Sequence, residues 1–461
     1  MDARLNKIQQ IISELNGISI ETPFSSDSDS TIVGKIKVSI VDSDETLIFD
    51  VKIFPEYPLK KFDTESITFF NTDFLEYGHV MGNGSICIHT SHNIDLRKKI
   101  EIDINSLKRW IVKYYLNKEN DSHYEHIILQ PKEFNNIHFS YLFTEVDYSF
   151  NKNQFGFFEY SKIIDGLYFD KTISNHIIQN FKDPFSRTIT ECKWSNHIKQ
   201  LANRNIGLYV FLDNPPTTKK KFIISNWEDL EGLVTQDLFK FLDNVQKRSQ
   251  KIKGNPIPLL IGYKISELEI HWQVAILEIG KFPIESYKEN QIWKGRFIDK
   301  DIIWSFTRNC SYDYFFGRGK LADKITKNKI LIIGIGAIGS IVATTLTRCG
   351  CTSIDIIDFD IKEPENVCRS EYSFLTGLCN KVDELSNELF RISPFVEIGI
   401  IDCRLFHHYS KVLNKSNDAK NILQQSLDCY DLIIDCSTDN DLLYILNQLD
   451  LKRFITMSIT N

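Results

Sequence analysis

No excess of positive charge marks this 461-residue chain: 54 lysines and arginines face 61 aspartates and glutamates, a net charge of −7. That balance removes the electrostatic case for nucleic acid as a direct partner. A disulfide framework is missing too. The ten cysteines are scattered, and Cys349 and Cys351, with one residue between them, lack the two-residue gap of a zinc knuckle. Free thiols in a reducing cytoplasm are the expectation. The N-terminus does not read as a signal peptide: MDARLNKIQQIISEL sets Leu5, Ile8, Ile12 and Leu15 on one helical face among charges. The longest apolar run, Ile330 to Thr347, approaches the length of a membrane span. Three glycines at turn spacing and a threonine-rich tail predict strand, turn and helix instead, so no membrane span is expected. Repeats are absent, and the one low-complexity tract, SSDSDS at 25–30, reads as a polar loop.

What is present is ordinary globular composition, 42% hydrophobic and 25% charged, over a length that predicts about two to four domains. Residues 1–150 read as an α+β domain. A helix at about 3–16 leads to TIVGKIKVSIV (31–41) and ETLIFDVKIF (45–54), joined by a serine/aspartate turn into a hairpin. Pro55 and Pro58 stop the second strand, because proline cannot donate to a ladder. ESITFF (65–70) is a third strand, and HVMGNGSICIH (79–89) is irregular. INSLKRWIVKYYL (104–116) has helical period through Ile104, Leu107, Trp110, Ile111 and Tyr114. Residues 151–310 read as an α+β connector: a hairpin over 207–225 around Asn214-Pro215-Pro216, a helix over 227–248, and strands at 258–265 and 268–279.

Residues 311–461 change to α/β. ILIIGIG is a continuous apolar run bounded by glycine, as in strands buried within parallel sheets. SIVATTLTRC is the crossover helix and TSIDIID the next strand; a helix carrying Lys381, Leu385 and Leu389 follows. DLIIDCSTDN (431–440) is a further parallel strand with its polar end at the carboxyl edge, where open α/β sheets bind ligands. Gly334, Gly336 and Gly339 form Gly-x-Gly-x-x-Gly, which brings backbone close to a phosphate at a helix N-terminus. Asp358, 22 residues after Gly336, stands where an acid accepts hydrogen bonds from ribose hydroxyls. NAD enzymes share both features, which alone favour a dehydrogenase. Asn366 and Arg369, 8 and 11 residues after Asp358, Lys381, 12 residues after Arg369, and Asp439 in CSTDN turn the reading. Arginine and lysine can neutralise a triphosphate and a departing pyrophosphate, and a strand-tip aspartate can hold Mg²⁺. Hydride transfer needs no such set.

GIGAIGS, DFDIKEPENVCR, Lys381 and STDN, in this order, resemble the ubiquitin-activating (ThiF/MoeB/HesA-like) adenylation family over residues 310–461. The resemblance implies a Rossmann-like sheet and adenylation of a protein's C-terminal carboxylate by ATP. It assigns the nucleotide turn to Gly334, Gly336 and Gly339, the ribose to Asp358, and the phosphates to Asn366 and Arg369. Lys381 would stabilise transition-state charge, and Asp439 would hold Mg²⁺. The family also uses an upstream arginine, often from a dimer partner; Arg308 and Arg318 are both candidates, and a homodimer is expected. Positioned cations and metal would be the main catalytic resource, since the attacking carboxylate is already ionised.

The N-terminal region resembles the ubiquitin-conjugating fold: IFPEYPLKKFDTESITFF, then HVMGNGSICIH, place a catalytic cysteine at Cys87. A thiolate is a strong nucleophile and its thioester stays reactive. The family's His-Pro-Asn is replaced by a shorter His79-Val80-Met81, which leaves His79, His89 and His92 as stand-ins for the helper residue. A conjugating domain ahead of an activating domain resembles the bacterial ubiquitin-transfer fusions of CBASS antiphage operons. There the enzyme attaches the C-terminus of a cGAS-like nucleotidyltransferase to a target; in a related fusion the carrier is a small β-grasp ubiquitin-like protein. No residue matches the activating domain's own cysteine: Cys436 lies inside a strand and Cys368 beside the phosphate residues. The sequence therefore reads as an incomplete adenylation domain, the alternative being a reduced variant that passes acyl groups straight to Cys87. A silent module that docks a partner's tail without ATP and an NAD-dependent oxidoreductase are the competing readings.

Overall fold

The computed structural model describes residues 3–458 apart from 41–44, 120–126, 128, 213, 219–220, 266–268, 409–410 and 413. The expected serine/aspartate turn and the last three residues lie outside the described residues. Contacts divide the chain into two compact units. The first holds Met1–Gln130, Asn214–Leu233 and Phe297–Ile302; the second holds Pro131–Asp213, Val234–Arg296 and Ile303–Asn461. Two pieces of the expected connector thus pack with the N-terminal residues.

In the first unit, helix Ala3–Ser13 buries Leu5, Ile8, Ile11 and Ile12. Beside it in sequence are four antiparallel strands paired in chain order: Ile18–Ser26, Ile32–Ser39, Thr46–Ile53 and Ile67–Phe70. The middle two pair as expected, with Ile32 opposite Ile53. Ile18–Ser26 is not anticipated by the sequence reading. It is an edge strand that buries only Ile18 and Phe24, and its register against the second strand shifts between Ile20 and Ser25, around Pro23. A bulged edge strand lacks the alternation that betrays a strand.

The helix expected at 104–116 begins earlier, as Leu96–Trp110, and ends in a π-helical turn, Ile111–Leu116. Asp95 caps it, accepting from the Lys98 amide at 2.9 Å. The apolar period hides its first turns because Lys99 and Asp103 occupy the buried face. Lys99 Nζ donates to Asp103 Oδ1 (2.7 Å), Glu65 Oε2 (3.1 Å) and Thr90 Oγ1 (2.5 Å), and Tyr57 donates to Asp103 Oδ2 (2.8 Å). This buried network ties the helix to the strand edge and to the segment just after Cys87. Each charge is matched by several hydrogen bonds, the condition for burying it at all.

In the second unit, nine strands among the described residues form one mixed sheet. Pro256–Lys264 and Ile270–Glu278 pair antiparallel, as their sequences predict. The hairpin expected around Asn214-Pro215-Pro216 does not form. Arg204–Phe211 runs parallel to Pro256–Lys264 inside the large sheet, while Thr217–Thr218 and Phe222–Ile223 make a separate small hairpin in the first unit. The expected helix over 227–248 is likewise split, into a 3₁₀ turn Glu228–Leu233 and helix Gln236–Arg248.

A five-stranded all-parallel sheet follows, in spatial order Glu397–Ile400, Ser353–Ile357, Lys329–Ile333, Leu432–Asp435, Phe454–Thr456. Helices Ala337–Arg348 and Lys381–Ile392 cover one face through Ala343, Leu385 and Leu389. Helices Asn417–Leu427 and Asn440–Leu446 cover the other through Leu427, Leu442 and Leu446. Burial on both faces is why Ile330–Ile333 is continuously apolar rather than alternating. The strand order reverses beside Lys329–Ile333, the switch point at which such sheets open a crevice. No described helix is long and apolar enough to cross a membrane.

Glu159 offers a pH test of the large sheet. Burial pushes its carboxyl up, but hydrogen bonds from Lys182, Asn180 and Arg204 outweigh that and hold it at about 2. A carboxylate lowered on folding contributes stability above its unfolded value, lost as pH falls through the folded value. Denaturant titrations should therefore show wild type losing stability between about pH 4.5 and 2, and Glu159→Gln should flatten that part of the acid limb. Parallel acid limbs would refute the assignment.

Candidate functional site

The reversal point carries a cavity of about 310 Å³. Gly334, Gly336, Asp358, Asn366, Arg369 and Lys381 line it, with Asp360, Ser437 and Thr438. Six residues separated by up to 47 positions in sequence are thus brought together. The glycines differ in what they do. Gly334 has φ +76°, and a Cβ there would lie 2.6 Å from Ser437 Cα. A Cβ on Gly339 would lie 2.0 Å from the Gly334 carbonyl oxygen. These two let strand, helix and neighbouring strand end close on one another. Gly336 is different: a Cβ there meets nothing within 4 Å. It caps helix Ala337–Arg348 and leaves open the space where an anion would meet the helix amides.

Asp358 faces the cavity with both carboxylate oxygens engaged by backbone. Oδ2 accepts from the Ile335 amide (2.9 Å) and Oδ1 from the Asp360 amide (2.8 Å). It therefore shapes the glycine turn, and its remaining lone pairs face the cavity. Asn366 closes a capping box with Glu363 on the turn Pro364–Arg369, its Oδ1 accepting from the Glu363 amide at 2.9 Å. That box presents Arg369, which is exposed. Lys381 is buried and donates to Asp360 Oδ2 at 2.7 Å. Asp360, two residues past Asp358 in DFD, is a cavity residue that sequence reasoning passed over.

The loop carrying these residues is fixed by a second pair the sequence did not disclose. Lys362 and Glu384, each 2% exposed, meet at 2.6 Å. Lys362 also donates to Ser373 O and Thr376 Oγ1, and Glu384 accepts from the Ser373 amide, Thr376 and Cys379. Burial pushes Glu384 up, and these hydrogen bonds overcome it and leave its carboxyl below the usual value. Tyr372 adds a bond to the Ile335 carbonyl.

Asp439 lies outside the cavity lining. Its Oδ1 caps helix Asn440–Leu446, accepting from the Asp441 (2.9 Å) and Leu442 (3.1 Å) amides. Among the described residues no group of three or more His, Cys, Asp or Glu could hold a metal. The donor set fits a magnesium ion only in the form the ion usually takes with nucleotides: one carboxylate, phosphate oxygens and water. Neither Arg308 nor Arg318 lines the cavity; Arg308 lies on strand Phe306–Asn309 and Arg318 on the turn Gly317–Gly319.

Cys87 belongs to the first unit and is half-buried, and burial pushes its thiol up. Gly84, at φ +82°, lets the turn before it approach the Asn71–Thr72 backbone, where a Cβ would come within 2.9 Å of the Thr72 nitrogen. Asn83 Oδ1 accepts from the Ser85 amide at 3.0 Å. Among the three histidines, His89 places Nε2 3.6 Å from the Cys87 sulfur. His79 offers its carbonyl to the Cys87 amide (2.8 Å), and its ring lies 4.5 Å from that of Tyr114. His92 is exposed.

A glycine turn at a parallel switch point, facing an arginine on the following loop and a lysine at the start of the next helix, defines a Rossmann-type α/β domain. Residues 307–457 match the ThiF family model, and residues 138–286 the model of the Cap2 central linker domain; the chain joins a Cap2-type linker to a ThiF-family domain. It is 28% identical over 307 residues to the ATP-dependent ubiquitin transferase-like protein Cap2 of Enterobacter hormaechei, covering 61% of this chain and 49% of that protein. The chain thus spans about half the length of that relative. The adenylyltransferase and sulfurtransferase MOCS3 of Drosophila virilis is 27% identical over 32% of this chain and 30% of its own. The E. coli MccB structure with ATP overlaps 27% of this chain and 35% of its own, at 23% identity and a TM-score of 0.23.

The two kinds of glycine should separate by substitution. Gly339→Ala must move backbone and should cost about 2 kcal/mol or more, read by thermal or urea unfolding. Gly336→Ala enters open space and should leave stability within about 0.5 kcal/mol. Equal losses at the two positions would contradict the geometry.

Proposed function

We propose that this chain activates the C-terminal carboxylate of a protein partner with ATP and passes the acyl group to Cys87. The observation that carries this reading is the pairing of Gly336's open cradle with Arg369 and Lys381 in one cavity. A triphosphate at the helix N-terminus would draw Lys381 away from Asp360 and bring Arg369 inward. A carboxylate oxygen of the partner attacks the α-phosphorus, the bond to the β-phosphate oxygen breaks, and pyrophosphate leaves with its charge met by these cations. Bound Mg²⁺, held on the protein side by Asp439, would supply further charge neutralisation to the phosphates. Asp358 would hold the ribose while keeping the turn in shape. The Cys87 thiolate then attacks the acyl carbonyl, AMP leaves, and a thioester results. Burial of the thiol makes the thiolate a minority at neutral pH, and His89 is the side chain placed to receive its proton.

Three modules serve this sequence of steps: a ubiquitin-conjugating-like domain over 1–150, a connector over 151–310 and a ThiF-type adenylation domain over 311–461. The enzyme works as a cytoplasmic homodimer, with Arg308 or Arg318 reaching the partner's nucleotide. The activated protein in this reading is a cGAS-like nucleotidyltransferase, as the resemblance to the CBASS fusions implies, primed by attachment to a target in antiphage defence. A small β-grasp ubiquitin-like carrier is the alternative.

ATP–pyrophosphate exchange tests the adenylation step, with each candidate partner supplied in turn. Lys381→Ala and Arg369→Ala should each lower exchange by about 10²–10³-fold, and Gly336→Ala should weaken nucleotide binding while the fold stays intact. Cys87→Ser should leave exchange unchanged and abolish a DTT-sensitive adduct. Adduct formation should quicken as pH rises toward the elevated thiol value. Partner binding that is unaffected by Lys381→Ala, with no exchange from any partner, would instead identify a silent docking module.

A further inference from the structure

The loop that precedes Cys87 is gripped from a distant part of the chain. Lys221, in the small hairpin Thr217–Thr218/Phe222–Ile223, is buried at 7% exposure. Its ammonium donates to the carbonyl of Val80 at 2.7 Å and to that of Tyr77. Both acceptors are backbone atoms 141 and 144 residues away in sequence. The neighbouring Phe222 ring lies 3.5 Å from where a Cβ on Gly82 would stand. The hairpin therefore lies on the loop His79–Gly82 that leads into the cysteine.

The two sides of that loop have different tasks. His79 O accepts from the Cys87 amide (2.8 Å) and the Met81 amide donates to Ser85 O (2.9 Å), so these residues pair with the Cys87 segment. Val80 sits between them, bridged to Ile86, and its carbonyl points the other way. The hydrogen bonds of this bridge come from the residues flanking the Val80–Ile86 pair, so the Val80 carbonyl takes no part in them. Without Lys221 it would be a buried acceptor needing another donor. A charged donor to two carbonyls is among the stronger hydrogen-bonding arrangements available to a side chain. The lysine is not there because burial suits it: burial pushes its ammonium down to about 8.

We propose that Lys221 is a positioning residue for Cys87, holding the His79–Met81 loop so that the thiol stays in the register from which it reacts. The inference rests on the thioester role given to Cys87 above. It also assigns a task to Asn214–Leu233, a segment of the connector that packs with the thiol-bearing unit.

Lys221→Met and Lys221→Arg in the full chain test it, with two independent readouts. Hydrogen exchange at the Met81 and Cys87 amides should quicken about tenfold or more in Lys221→Met while amides of the four-stranded sheet keep their protection. At saturating partner, adduct formation on Cys87 should slow about tenfold or more, with half-saturation and pyrophosphate exchange unchanged. Arginine, which keeps charge and donors, should restore much of both. Wild-type exchange protection at Met81 and Cys87 in Lys221→Met would overturn the proposal, as would loss spread evenly over the unit, which marks a merely structural lysine. If wild type itself forms no adduct, the thioester reading fails, and the positioning proposal fails with it, whatever the amides show.

Discussion

The approach of Gly339 to the Gly334 carbonyl is the constraint on which the Rossmann-type domain depends. A Cβ at Gly339 would sit 2.0 Å from that oxygen, so helix Ala337–Arg348 starts where it does only because nothing projects there. The same closeness seats the end of Lys329–Ile333 against Ser437. With those elements locked, Gly336 stands clear at the helix mouth and the cavity exists. Asp358 completes the turn through the Ile335 amide, which makes one residue both architecture and candidate ribose partner.

Buried charges then hold the loops that bear the candidate site residues. Lys362 with Glu384 fixes the loop from Asp360 to Lys381, and Lys99 with Asp103 and Glu65 fixes the segment after Cys87. Lys221 grips the loop before Cys87 through the Tyr77 and Val80 carbonyls. Buried ion pairs are weak sources of net stability but costly to break once formed. Their use here is consistent with holding irregular backbone, which lacks a ladder of its own, in one conformation.

Much of the Rossmann-type domain was legible because its signals are local. A continuous apolar strand, glycine spacing and a strand-tip aspartate each need only a dozen residues to be read, and the parallel sheet follows them closely. Legibility failed where the structure depends on distant partners. Lys99 and Asp103 interrupt an apolar face because they are buried together, which hid the start of their helix. Ile18–Ser26 was missed because a bulge and Pro23 break its alternation. Arg204–Phe211 has the look of a hairpin strand, yet its neighbours are a strand some fifty residues on in the parallel sense and one fifty residues back. Asp360 and Lys221 carry no motif at all; only their partners in space mark them.

The central claim is that a partner's carboxylate attacks the α-phosphorus in the cavity beneath Gly336. Labelling the partner's C-terminal carboxylate with ¹⁸O tests it most directly. Attack makes one carboxylate oxygen the bridge of the acyl adenylate, and that oxygen departs with AMP when the thiol takes the acyl group. The account predicts AMP carrying one ¹⁸O, formed with pyrophosphate. Unlabelled AMP, or ADP and phosphate as products, would contradict it.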